Sequence, residues 1–268
     1  MKTDLDNIIA DSDSGDSASS YSIVVVDDEP RIRESLKFLI EQRGNCTVET
    51  AENGLKALQK LYRQRFDLFL LDIHMPMMNG FELMEQILQY QPDAVLVMMT
   101  GEASVESAVK ALKRGAYDYL RKPFDDADLV KTIDNALAHG AMRRNLKRAK
   151  TEYQYMVENS PDLIYQLDPE GRFTFVNQAV ERLLGYRSEE LSGKHYTCIV
   201  HEEDQERSEF LFNERRTGER ATNEIEMRLV CKPDPDDRSH PPERSITVEL
   251  KATGMYDDHQ KDRDKKIF

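Results

Sequence analysis

The chain has 268 residues, with 37 Lys and Arg against 50 Asp and Glu, a formal net charge of -13 and a pI near 5.0. That acidity excludes a nucleic-acid-binding surface over the whole chain, because phosphate contacts need clustered Lys and Arg. Cys46, Cys198 and Cys231 are scattered with no Cys-x-x-Cys spacing, which excludes a structural zinc and fits a reducing compartment. No apolar run approaches the roughly 20 residues of a membrane span, and no basic-then-apolar leader opens the chain. A soluble, cytoplasmic protein of about two domains is expected, with no membrane or nucleic-acid partner.

Residues 1–20 include DSDSGDSASS and have little to bury, so a disordered acidic tail is expected. From Ser22 apolar runs alternate with amphipathic segments. Strands are expected at 22–26, 46–50, 67–71, 94–99 and 116–120. Helices are expected near 30–43, 54–63, 80–89 and 103–113, with a fifth from Asp126. Pro30 suits a first helical turn, and Gly44 and Gly115 suit helix ends. Strands and helices in strict alternation predict a doubly wound parallel sheet.

The fifth helix runs without Pro from Asp126 to Glu158. Ile133, Ala136 and Leu137 suit the sheet. His139, Met142, Leu146, Ala149, Tyr153 and Met156 then recur at spacings of three and four, an a/d seam. Two readings fit: a solvated linker helix, or a short parallel coiled coil that dimerises the chain. The spacing favours the coiled coil.

After Asn159-Ser160-Pro161, short strands at 163–167 and 172–176 flank the turn Asp168-Pro169-Glu170-Gly171. Short helices are expected at Gln178–Leu184, Ser188–Leu191 and Glu203–Glu214. Longer strands are expected at Thr222–Cys231 and Arg244–Met255, around the polar loop KPDPDDRSHPPE. This order predicts an α+β domain with an antiparallel sheet.

Four strand ends carry chemistry. Ile23 to Val26 ends in Asp27-Asp28, Phe69 to Leu71 in Asp72, Val95 to Met99 in Thr100, and Tyr117 to Leu120 in a segment holding Lys122-Pro123. Parallel strands side by side bring their carboxyl ends together, where open α/β sheets bind ligands. Clustered carboxylates repel one another, and a Mg²⁺ ion relieves that repulsion while keeping open positions. A lone Asp72 ahead of a loop suits a nucleophile toward phosphorus, Thr100 a hydroxyl donor to a phosphoryl oxygen, and Lys122 a compact positive charge. Taken singly, each residue could equally be a cap, a turn or an ordinary strand residue.

VVVDDEP, LLDIHMPMMNG, MMTGEAS and GAYDYLRKPF, in that order, resemble the receiver domain of two-component response regulators over residues 21–138. The resemblance implies a flavodoxin-like five-stranded sheet and Asp72 as the phosphoacceptor. It implies Mg²⁺ held by Asp28, Asp72 and the backbone carbonyl of His74, with Asp27 acting through water. It further implies Thr100 and Tyr119 as a switch pair, Lys122 as the phosphate-binding lysine, a cis Lys122-Pro123 bond and a sensor histidine kinase as phosphodonor. Met75, Met77 and Met78 are read as loop packing, and the His74 imidazole as exposed, where it could tune phosphoryl lifetime. Such a domain phosphorylates itself from its donor, and no separate catalytic domain is expected within 1–268.

Residues 139–159 are read as the linker and 160–268 as a sensor. MVENSPDLIYQLDPEGRFTFVNQAVERLLGYRSEELSGKHY, then HEEDQERSEF and RTGER, resemble a PAS domain. That implies a five-stranded antiparallel sheet and signalling through flanking coiled coils, with a homodimer formed by linker and PAS module. Only four of the strands have clear segments, since DDHQKDRDKKIF stands where the last would begin. No flavin-type cysteine motif is present, Cys198 is read as core, and His195 and His201 are read as structural, so neither haem nor flavin is expected.

Two other function classes compete with this reading. A haloacid-dehalogenase-type phosphatase needs Asp-x-Asp, and Asp72-Ile73-His74 lacks the second carboxylate. An inactive adaptor would not keep all five site residues. The chain could also be the front part of a larger histidine kinase or cyclic-dinucleotide enzyme.

Overall fold

Ile23, Val24, Val25 and Val26 are all fully buried, and alternate side chains serve opposite faces of one sheet. Such β-branched runs, apolar on both faces, are what a strand covered by helices on each side requires. The computed structural model describes residues 20–101, 105–213, 222–233 and 244–252. The expected acidic tail, the end of MMTGEAS, RTGER, most of the loop at 232–243 and the question of a last strand lie outside the described residues.

Five parallel strands, β1 (Tyr21–Val26), β2 (Cys46–Ala51), β3 (Leu68–Asp72), β4 (Val95–Thr100) and β5 (Asp118–Arg121), stand in the order β2-β1-β3-β4-β5. Helices α1 (Pro30–Glu41), α2 (Gly54–Leu61), α3 (Gly80–Tyr90), α4 (Val105–Lys113) and α5 (Asp126–Glu158) alternate with them. The first unit is therefore the doubly wound α/β fold expected from the sequence. Val24, Val26, Phe69 and Leu71 pack with Leu58 of α2 and Met84 of α3 in one core. Ile23, Val25, Leu68 and Leu70 face the other way, onto Leu36 of α1 and Ile133 of α5. Each fully buried aliphatic side chain is favoured by roughly 1.5–3 kcal/mol over an exposed one.

The helices start where their caps permit. Pro30 opens α1, Asn53 accepts from Lys56 N at 2.9 Å ahead of α2, and Asn79 with Glu82 forms a capping box at α3. Because the chain leaves β1 toward β2 and then crosses back to β3, the sheet reverses direction between β1 and β3. That reversal opens a crevice at their carboxyl ends.

Helix α5 buries Leu129, Ile133, Ala136, Leu137 and Gly140, the i, i+4, i+7, i+8, i+11 stripe of one face. At Gly140 a Cβ would lie 2.9 Å from Val95 Cγ2, so only glycine lets the helix approach β4 this closely. Beyond it, Arg144 pairs with Asp67 at 3.0 Å and Lys147 with Asp93 at 2.7 Å. Met142, Leu146, Tyr153 and Met156 are exposed. His139, placed in the seam by spacing, instead stacks on Tyr117 with ring centroids 4.9 Å apart. No helix among the described residues is long and apolar enough to cross a membrane.

The chain divides into two compact units between Arg148 and Ala149. In the second, β6 (Tyr165–Leu167) pairs antiparallel with β7 (Phe173–Val176), and β8 (Thr222–Val230) with β9 (Ser245–Ala252). Between them lie α6 (Ala179–Leu184), α7 (Ser188–Leu191), two 3-10 turns and α8 (Gln205–Asn213). Among the described residues these strands form two antiparallel ladders, in keeping with the antiparallel strands expected, and the strand that would join them falls outside those residues. Leu167, Phe173, Val176, Tyr196, Met227 and Leu250 share one core between the ladders and helices. Cys198, expected in that core, is exposed. It sits in the 3-10 turn Tyr196–Ile199, whose three-residue period turns Tyr196 and Ile199 inward and leaves Cys198 outside.

Candidate functional site

The strand ends converge as the topology requires. Asp72 is the last residue of β3, and Asp27 and Asp28 follow β1, its neighbour. Oxygens from Asp27, Asp28 and Asp72 all lie within 4.8 Å of one another. Asp27 is fully buried, Asp72 is 5 % exposed, and Asp28 faces solvent. Lys122, which follows β5 across a cis Lys122-Pro123 bond's amino side, reaches back over β4. Its ammonium donates to Asp27 Oδ2 at 2.6 Å and to Asp72 Oδ1 at 2.9 Å. Its own backbone N–H donates to the Thr100 carbonyl at 2.7 Å, tying the β5 end to the β4 end.

Thr100 ends β4 fully buried, one residue past the register partner of Asp72. Tyr119 is the register partner of Met98 and packs against the same core as Met98. Its hydroxyl is buried with no hydrogen-bond partner among the described residues. His74 is exposed in the loop after β3. In that loop Met75 is buried and Met78 packs on the core, but Met77 is 73 % exposed at φ 69, which corrects its reading as packing. A left-handed backbone turns its side chain away from the core it was expected to fill.

Burial pushes the Asp72 carboxyl above its usual value. Lys122 pulls it down by hydrogen bond and charge, but Asp27 and Asp28 push it up again, and the net direction is upward. For Lys122 burial works downward, and the hydrogen bonds and charges of Asp27 and Asp72 outweigh it, so the ammonium is held above its usual value. One cation among three carboxylates leaves negative charge unbalanced. A site of hard oxygen donors with that excess fits Mg²⁺, which carries two positive charges and prefers carboxylate and water oxygens.

Three supporting groups escaped the sequence reading. Arg33 Nη1 donates to the Asp27 carbonyl at 2.6 Å, and the Glu29 N–H donates to Asp27 Oδ1 at 2.9 Å. Gly80 N–H donates to the Ile73 carbonyl at 3.0 Å, and a Cβ on Gly80 would fall 2.3 Å from the Asp72 carbonyl oxygen. The position of Arg33, six residues past Asp27 and one turn into α1, is a signal that could have marked it. In the second unit His195 Nδ1 lies 2.9 Å from Thr197 Oγ1, and His201 Nδ1 accepts from Glu203 N–H at 3.3 Å. Both imidazoles thus serve as caps of 3-10 turns.

The sequence matches the family described as response regulator receiver domain over residues 23–134 and the PAS fold over residues 151–261. The transcriptional regulatory protein ZraR of Klebsiella oxytoca is 39% identical over 146 residues, 54% of this chain and 33% of that protein. The DNA-binding transcriptional regulator NtrC of Escherichia coli K12 is 39% identical over 115 residues, 43% of this chain and 24% of NtrC. The chain thus spans about a quarter to a third of the length of these relatives. Among solved structures, a CheY-like receiver domain protein from Methanospirillum hungatei JF-1 is 35% identical, with a TM-score of 0.45 over 47% of this chain and 99% of that one. Residues 23–134 belong to the response regulator receiver domain family, and residues 151–261 to the PAS fold family.

Proposed function

We propose that this chain is a two-component response regulator in which Asp72 accepts a phosphoryl group from a phosphohistidine on a partner sensor kinase, and in which the PAS domain and α5 carry the signal onward. The observation that carries the reading is the Lys122 ammonium, bonded at once to Asp27 and Asp72 at the carboxyl edge of a parallel sheet. In this reading residues 21–138 are the receiver, 139–159 the linker and 160–268 the sensor.

Asp72 attacks phosphorus with one carboxylate oxygen. The new O–P bond forms as the P–N bond to the donor imidazole breaks, and that nitrogen keeps the electron pair. Lys122 orients the Asp72 carboxylate and stays beside the phosphoryl oxygens, where its charge offsets theirs. Asp28, Asp72 and the His74 carbonyl would hold Mg²⁺, with Asp27, fixed by Glu29 N–H, Arg33 and Lys122, acting through water. When bound, that ion neutralises charge between the carboxylates and the transferring group. The product adds roughly one to two negative charges at the β3 end. Thr100 donates to them, and Tyr119, whose hydroxyl lacks a partner among the described residues, moves with it. The covalent change thereby biases a two-state surface. The exposed row Met142, Leu146, Tyr153 and Met156 supports a second copy of this chain as the partner of α5.

The test is incubation with Mg²⁺ and acetyl phosphate, read by intact mass. Wild type gains one phosphoryl group and Asp72→Asn gains none. Equal labelling of the two, or no labelling of wild type, refutes Asp72 as acceptor.

A further inference from the structure

The last turn of α5 is gripped by one corner of the PAS domain. Asn177, the residue after β7, has no exposed surface. Its side-chain N–H groups donate to the carbonyls of Val157 at 2.8 Å and Asp162 at 2.9 Å, and its Oδ1 accepts from Ile164 N–H at 2.9 Å. A carboxamide has two donors and one carbonyl oxygen, so every polar group of this side chain is committed to the segment 157–164. Val157 lies in the last turn of α5, where helix carbonyls lack intrahelical partners. Flanking contacts reinforce the grip: Gln178 N–H donates to Glu158 Oε2 at 2.9 Å, and Arg182 Nη2 to the Ser160 carbonyl at 2.6 Å.

The gripped segment is also a wall. A cleft of about 520 Å³ is lined on one side by Pro161, Asp162 and Leu163 and on another by Val248 and Leu250 of β9. Asn177 therefore bonds, through one buried amide, both to a residue that lines the cleft and to the terminal turn of the long helix. A shift of residues 161–163 cannot leave the Val157 carbonyl where it is unless that fully buried amide gives up a bond.

We propose that Asn177 is the joint that transmits the state of this cleft to α5. It acts as a positioning residue through Val157 and Asp162, and what fills the cleft is read as strain or relaxation in the last turns of the helix. The proposal rests on the reading that the PAS domain signals through α5.

The experiment is a double-mutant cycle on the full chain, read by hydrogen–deuterium exchange of peptides covering residues 149–160. Val248→Phe fills the cleft from the β9 side and serves as the probe. In the Asn177 background, filling the cleft changes α5 exchange by at least about threefold. In Asn177→Ala, exchange of 149–160 is already faster, and Val248→Phe alters it by less than about half as much. Protection of the β8–β9 ladder reports whether the domain still folds. If Asn177→Ala loses that protection, Asn177→Ser, which keeps one hydroxyl donor, takes its place in the cycle. An equal response in both backgrounds overturns the joint and leaves signalling through α5 standing. No response in either overturns the joint and the α5 reading together.

Discussion

Lys122 Nζ stands 2.9 Å from Asp72 Oδ1, yet the Asp72 carboxyl is held above its usual value. A cation at that distance ordinarily lowers a carboxyl pKa, so burial and the two neighbouring carboxylates must outweigh it. Lys122 thus works against the upward push of burial and of the neighbouring carboxylates on Asp72, and in the proposed reading it favours the ionised form that attacks phosphorus. Lys122→Met should raise the Asp72 pKa further and slow acetyl phosphate labelling by on the order of 100-fold, the usual effect of losing one preorganised charge. A labelling rate within twofold of wild type would contradict this role.

Gly80 is required by its distance from Asp72, not by its backbone angles. A methyl there would meet the Asp72 carbonyl oxygen at 2.3 Å and Ile73 Cα at 3.0 Å, both backbone atoms that cannot swing aside. Gly80→Ala should cost about 1–3 kcal/mol in urea unfolding and displace the end of β3. Labelling of Asp72 should fall with it.

Met77 is the one non-glycine residue at positive φ among the described residues, and its side chain is exposed. Left-handed backbone costs an ordinary L-residue roughly 1–2 kcal/mol. Met77→Gly removes that strain but adds freedom to the unfolded chain, so a net gain of about 0.5 kcal/mol is expected. Chemical denaturation of the two proteins measures it, and a loss of stability would show that the Met77 side chain is held by contacts.

Arg228 donates from Nη2 to Asp204 Oδ1 at 2.8 Å and from Nε and its backbone N–H to Oδ2 at 3.0 Å and 2.9 Å. These bonds hold the Asp204 carboxyl down at about 2, against a usual 3.8. A depressed carboxyl contributes stability above its unfolded pKa and loses it as pH falls through the folded one. Wild type should therefore melt above Asp204→Asn at neutral pH, and the gap should narrow as pH drops from 3.8 toward 2. Melting curves at a series of pH values test this, and a gap that widens in acid has the wrong sign.

Leu146 and Met142 are exposed on α5, on the side away from the Arg144 and Lys147 ion pairs. If a second copy covers them, Met142→Glu with Leu146→Glu should weaken self-association by at least about 100-fold. Sedimentation velocity reads the outcome, and a wild type that is monomeric at high concentration ends the coiled-coil reading.

The alternation of strands and helices and the identity of the strand-end residues are legible in the chain itself, because both are local. A buried strand must be an apolar run, a run must end, and the residue at its end is named by position alone. That is why Asp27, Asp72 and Thr100 were legible before any contact was known, and why α5 could be traced to Glu158 from an unbroken helical stretch. Local pattern does not specify which atoms meet across the chain. That Lys122 bridges Asp27 and Asp72, that Gly80 backs onto the Asp72 carbonyl, that His139 leaves the seam for Tyr117, and that Asn177 seizes the end of α5 were decided by tertiary structure. Cys198 and Met77 turned outward for the same reason. Exposure depends on the direction a side chain takes once the backbone is packed, and a one-dimensional pattern carries that direction only within regular helices and strands.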